Sequence, residues 1–161
     1  MLERTLQIKL KPEWDAIPTV WDPCARHLNG HGLSRDEAYS LCMVVRELLE
    51  NAVKYGRFAD GSPPIDLVVD VGAREVTVEV KNPVGVDPEQ LREFDRVIQW
   101  IRGFQDPFEA YVERLKIASA QAWGSGKSGL GLTRVAYEGR CGLDFYVDAT
   151  NTLAVSAVRA R

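Results

Sequence analysis

The chain has 161 residues, enough for one domain with a sizeable core and too few for two comfortable ones. With 45% hydrophobic and 27% charged residues and a formal net charge of −3, it is composed like a soluble globular protein and lacks the general pull that a basic chain exerts on nucleic acid or anionic membrane. Asp144 and Asp148 interrupt the one long apolar candidate for a membrane span, and Met1-Leu2-Glu3-Arg4 does not read as a signal peptide, so a cytoplasmic protein with neither a nucleic-acid nor a membrane partner is expected.

Thr5 to Leu10 alternates polar and apolar residues and predicts a half-buried edge strand that Pro12 stops. A short helix is expected from about Ile17 to Leu28, closed by Asn29-Gly30-His31-Gly32. Ser34-Arg35-Asp36-Glu37 has the form of a capping box. It opens a long helix whose Ala38, Leu41, Cys42, Val45, Leu48, Leu49 and Ala52 recur at three- and four-residue steps and face a core, with Gly56 as the stop. Glu47, Asn51 and Lys54 are left on another stripe.

Ile65 to Val71 and Glu75 to Lys81, joined by Gly72-Ala73-Arg74, predict a β-hairpin. Asp87-Pro88 opens a helical region that Gly103 interrupts and Asp106-Pro107 restarts, reaching Trp123. Its Val97, Ile98, Trp100, Ile101, Phe104 and Phe108 divide between core and a docking surface. After a glycine-rich stretch, Leu132 to Glu138 predicts a helix ended by Gly139, and Leu143 to Val147 with Leu153 to Val158 a final hairpin turning at Asn151. Adjacent hairpins with helices grouped elsewhere give an α+β, two-layer sandwich, a mixed and mostly antiparallel sheet covered on one face by helices. Residues 1–161 form one domain with a lid-like helical insertion at about 88–126.

Cys24, Cys42 and Cys141 show no CxxC spacing and His27 and His31 have no cysteine neighbours, so a zinc site is not expected and the three thiols read as structural. The chemistry gathers elsewhere. Glu47 and Asn51, four apart on one helix, can converge on one ligand. The Asn51 amide oxygen suits magnesium, Glu47 can accept a proton from an attacking hydroxyl or water, and Lys54 can compensate phosphate charge. The same stripe is also what a solvated helix face looks like, with Glu50 and Lys54 as an ordinary i,i+4 pair.

Gly124-Ser125-Gly126-Lys127-Ser128-Gly129-Leu130-Gly131-Leu132 shifts that balance. Its glycines let backbone N–H groups approach phosphate without a Cβ in the way, the following helix start adds its dipole, and Lys127 and Ser128 supply charge and a hydroxyl. It is neither a P-loop, which needs glycine where Gln121 stands, nor a dinucleotide fingerprint, because both need a preceding strand and the residues before it are helix-like.

Glu47-Leu48-Leu49-Glu50-Asn51-Ala52-Val53-Lys54-Tyr55 resembles the N box of the GHKL (Bergerat-fold) superfamily of ATP-binding domains, and Gly129-Leu130-Gly131-Leu132 its last glycine box. Within that superfamily the chain looks like the small anti-sigma factor serine/threonine kinases of bacterial partner-switching modules, which place a glutamate four residues before the asparagine. The element order agrees over nearly the whole chain. The resemblance implies ATP and Mg2+ as cofactors, Glu47 as the catalytic base and Asn51 as the metal ligand. Lys54, Asn82, Gly85, Gly126, Lys127, Ser128, Gly129, Leu130 and Gly131 would join Asn51 around the nucleotide. It also implies a partner of the anti-anti-sigma type whose serine or threonine accepts the phosphoryl group, a sigma factor as a further partner, and often a homodimer.

One segment departs from the pattern. The family has an Asp-x-Gly-x-Gly box after the central hairpin, where this chain has Asn82-Pro83-Val84-Gly85-Val86. The Asn82 amide oxygen still accepts a hydrogen bond but loses the charge, and Val84 and Val86 stand where glycines let the backbone approach the base. The expected function is therefore an ATP-dependent protein serine/threonine kinase that switches a small regulatory protein. A degenerate GHKL-fold protein-binding module with weak or no nucleotide binding is the alternative.

Overall fold

The structure, a computed structural model, describes residues 3–59, 62–84, 88–120 and 130–161. Strand β1 (Thr5–Leu10) leads to a 3-10 helix (Trp14–Val20), α1 (Trp21–Gly30) and the long α2 (Arg35–Tyr55). The hairpin β2 (Ile65–Val71) and β3 (Glu75–Pro83) follows, then α3 (Pro88–Arg102), α4 (Pro107–Ala120), α5 (Leu130–Tyr137) and the hairpin β4 (Gly142–Val147) and β5 (Thr152–Ala160). The strands form one sheet in the order β1-β2-β3-β5-β4. Every pairing is antiparallel, and β1 lies at an edge as its sequence predicts.

Most boundaries follow from local chemistry. Ser34 accepts from the Glu37 N–H while the Glu37 carboxylate accepts from the Ser34 N–H, so the capping box at the start of α2 is complete and contributes about 1 kcal/mol. Asp106 Oδ1 accepts from the Phe108 N–H at 2.9 Å at the start of α4. Asn151 takes a left-handed φ of 57° in the last hairpin, a conformation asparagine tolerates.

Two boundaries differ from expectation. The single helix expected over Ile17–Leu28 is a 3-10 turn followed by α1, because Pro18 supplies no N–H and its ring crowds the preceding turn. Pro23 sits in the first turn of α1, where its missing N–H costs nothing. Helix α5 begins at Leu130, two residues before the expected start, so Gly131 lies on its first turn and not in a loop.

The core is built on α2, whose Leu41, Cys42, Val44, Val45, Leu48 and Leu49 are buried against the inward positions of β2 and β3, among them Leu67, Val69, Val76, Val78 and Val80. The opposite face of the sheet is polar and cross-linked by side chains: Arg4 pairs with Asp70 at 2.6 Å and Gln7 donates to Asp66 at 2.9 Å. In α3 Ile98 and Ile101 are buried and Val97 and Trp100 pack partly against the core, whereas Phe108 of α4 is exposed. Phe94 of α3 meets Phe145 of β4 edge to face, with ring centroids 5.0 Å apart. Among the described residues no helix is long and apolar enough to cross a membrane. All three cysteines are buried and free, and burial is the first cause that pushes their thiols up, to about 12 for Cys24 and Cys141 and about 11 for Cys42.

Candidate functional site

A cleft of about 720 Å³ opens between α2, α3 and the first turn of α5, over the middle of the sheet. Its floor follows from strand register: Val80 stands opposite Val155 and Asn82 opposite Leu153, and all four line the cleft. The helical repeat of α2 then brings Glu47, Asn51 and Lys54 to one wall. Gly131 lines the end of the cleft from α5, while α3 closes the other side with Arg92 and Phe94.

The cleft thus unites Glu47, Asn51, Lys54, Asn82 and Gly131, five residues from three separated segments. Leu130 is not among its lining residues; its carbonyl accepts from the Thr133 hydroxyl at 2.8 Å at the start of α5. Gly85, Gly126, Lys127, Ser128 and Gly129 lie outside the described residues.

Glu47 is 9% exposed. Its carboxyl is pushed above the usual carboxylate value, first by burial and then by the neighbouring charge of Glu50, while Arg134 and Arg46 pull the other way. Arg134 of α5 donates to Glu47 Oε1 at 3.1 Å and to Glu138 Oε2 at 3.2 Å. Partial burial acts to lower the Arg134 guanidinium, but its hydrogen bond to Glu138, the Glu138 charge and then the Glu47 charge outweigh it. Glu50 lies 3.9 Å from Arg46, and the Lys54 ammonium lies 5.2 Å from the centre of the Tyr55 ring. The stripe is therefore not a uniformly solvated face: its Glu47 end is buried and clamped from another helix.

Gly131 explains how α5 comes so close. An ideal Cβ on it would stand 2.5 Å from Glu47 Oε2, so any larger residue would oblige the carboxylate to move from this place. Arg134 is the site residue that the sequence did not reveal. An arginine on a short helix reads as half of an i,i+4 pair with Glu138, and nothing local signals a partner 87 residues away.

Asn82 is 3% exposed. Its Nδ2 donates to the Pro83 carbonyl at 3.1 Å, and the same carbonyl accepts from the Arg57 N–H at 3.0 Å. With a pure acceptor against the NH2 end, the amide orientation is set by its surroundings.

No family model matches the chain, and no curated protein matches it. Solved structures do match. A chain in the crystal structure of the SiaB–SiaC complex from Pseudomonas aeruginosa superposes with a TM-score of 0.69 and 16% identity, covering 98% of this chain and 91% of that one. The structure of the RsbU and RsbW domains of Rv1364c from Mycobacterium tuberculosis matches with a TM-score of 0.56 and 15% identity. That match covers 99% of this chain and 33% of the other, so the chain spans a third of that longer protein. The chain thus shares its α+β architecture, an antiparallel five-stranded sheet with helices, with a chain of the SiaB–SiaC complex and with part of Rv1364c.

Proposed function

We propose that the chain is an ATP- and magnesium-dependent protein serine/threonine kinase of the anti-sigma-factor type, which phosphorylates and thereby switches a small regulatory protein. The observation that carries this reading is the convergence of Glu47, Asn51, Lys54, Asn82 and Gly131 on one cleft. Its volume of about 720 Å³ falls within the range of about 300–1,000 Å³ common for small-molecule sites. The residues fit a magnesium nucleotide: apolar Val80, Leu153 and Val155 suit a base, Asn82 offers it a buried amide, and Asn51 and Lys54 offer a hard oxygen and a cation. Bound Mg-ATP would supply the phosphoryl group. The chain's own part is to hold it and to take the proton of the acceptor hydroxyl on Glu47, whose buried carboxyl is a better base for being raised. A protein acceptor is favoured by the neighbour's being solved as a complex with a second protein, SiaC.

The alternative reading, a binding module with weak or absent nucleotide binding, is favoured by Asn82, Pro83 and Val84. Thermal unfolding with ATP or ADP, with and without magnesium, separates the two. Nucleotide at about a hundredfold above its Kd stabilises the fold by about 2.7 kcal/mol, on the order of 5–10 °C in Tm for a chain of this size. We expect a magnesium-dependent rise that Asn51→Ala abolishes. No shift at millimolar nucleotide would favour the module.

A further inference from the structure

Glu47 is held from across the cleft end as well as by its own helix. Gly131 and Arg134 are three residues apart on α5, on one face of one turn. The missing Cβ of Gly131 admits Glu47 Oε2, and the Arg134 guanidinium takes Oε1 at 3.1 Å. Both oxygens of a nearly buried carboxylate are thus met by one helix. Glu138 fixes the far side of the guanidinium at 3.2 Å, so the planar fork is oriented before it reaches Glu47.

The remaining charges near Glu47 do not substitute for this contact. On its own helix, Arg46 and Glu50 lie 3.9 Å from one another. Across the cleft, Arg92 and Arg96 of α3 are interleaved with Glu89 and Glu93, and Arg96 is bound to Glu93 at 3.0 Å. A brace between α2 and α5 alone would be better made from apolar side chains, because desolvating a pair of charges offsets much of their attraction. A cation set on a cleft-lining carboxylate is better explained by what that carboxylate does.

We propose that Arg134 is a positioning residue for Glu47, holding its carboxylate at the edge of the cleft where the acceptor hydroxyl must arrive. This rests on the kinase reading above, in which Glu47 takes that proton. The pairing also makes the base depend on α5, so any displacement of α5 moves the carboxylate.

The test uses Arg134→Gln and Arg134→Lys in the full chain, each first checked for a wild-type unfolding transition. Glu47 is titrated by carbon-13 NMR of the side-chain carboxyl without nucleotide, its signal assigned by loss in Glu47→Gln. Removing the cation leaves burial, Glu50 and Glu138 opposed by Arg46, so the Glu47 midpoint rises by about one pH unit in Arg134→Gln. Arg134→Lys restores most of it. In Mg-ATP turnover the acid limb of the pH profile moves upward with the midpoint. At its plateau kcat falls roughly tenfold, with KM for Mg-ATP unchanged. A pair that merely braces the fold would move the midpoint through the same lost charge but leave the plateau kcat unchanged, so a wild-type plateau kcat in Arg134→Gln overturns the proposal, as does an unchanged midpoint. A raised KM with kcat intact overturns it too, by making Arg134 a nucleotide-binding group. Failure of the kinase reading looks different: Mg-ATP does not raise the unfolding temperature of the wild-type protein although the midpoint still follows Arg134, which removes the base and the proposal with it.

Discussion

Glu47→Gln lowers phosphoryl transfer by a factor on the order of 10²–10⁴, the usual worth of a general base, and leaves the fold intact. Glutamine keeps the shape of the side chain and a donor–acceptor contact to Arg134 but cannot take a proton. The same change has a distinctive effect on stability. Because burial raises the Glu47 carboxyl in the folded chain, ionising it costs more there than in the unfolded chain. The penalty is absent below the usual carboxylate value and complete above the raised one, so wild-type stability declines as pH rises through that window. Glu47→Gln lacks this decline, and its Tm at pH 8 equals or exceeds that of the wild type. Transfer from Mg-ATP followed as ADP release, with unfolding scans at pH 5 and pH 8, checks both halves. A wild-type rate in Glu47→Gln would remove the residue from the chemistry.

Gly131→Ala is expected to reduce transfer roughly a hundredfold while moving Tm by no more than about 3 °C. The added methyl would stand 2.5 Å from Glu47 Oε2, so something must yield. The carboxylate is the end of a flexible side chain and yields cheaply. In moving it leaves the geometry that Arg134 enforces, and a displacement on the order of 1 Å is enough for a loss of this size. Alanine in the first turn of a helix meanwhile recovers about 0.5–1 kcal/mol relative to glycine, which offsets the crowding. Steady-state kinetics decide the cause. A fall in kcat with unchanged KM for Mg-ATP fits displacement of Glu47, whereas a higher KM at full kcat would mean that position 131 contacts the nucleotide instead.

The features legible in the sequence were those whose causes are local. The Ser34 and Glu37 capping box, the prolines that open α3 and α4, the turn at Gly72-Ala73-Arg74 and the left-handed Asn151 all act within a few residues. The Glu47, Asn51 and Lys54 wall was legible for the same reason, since one helical repeat aligns it. Asn82 required the family resemblance, because an asparagine late in a β-strand announces nothing by itself. What could not be read was set by distance along the chain. The Arg134 clamp joins residues 87 apart, and Pro83 receives its second donor from Arg57 beyond the end of α2. The start of α5 was misplaced because glycines at 129 and 131 read as loop, whereas Gly131 is helical and serves to admit a neighbour's carboxylate.

Helix α2 is at once the centre of the core and the wall of the cleft: Leu48 and Leu49 are buried between Glu47 and Asn51 on the same two turns. The backbone amides of that stretch are therefore protected by the whole hydrophobic interior, and exchange with deuterium requires opening on the scale of global unfolding. Helix α3, which covers the other side of the cleft, buries only Ile98 and Ile101 among its described residues and is expected to open in a smaller unit. The two sides of one pocket would then exchange on separate clocks, the α2 wall slow and the α3 cover fast. A molecule that enters the cleft would be recorded first in the amides of α3.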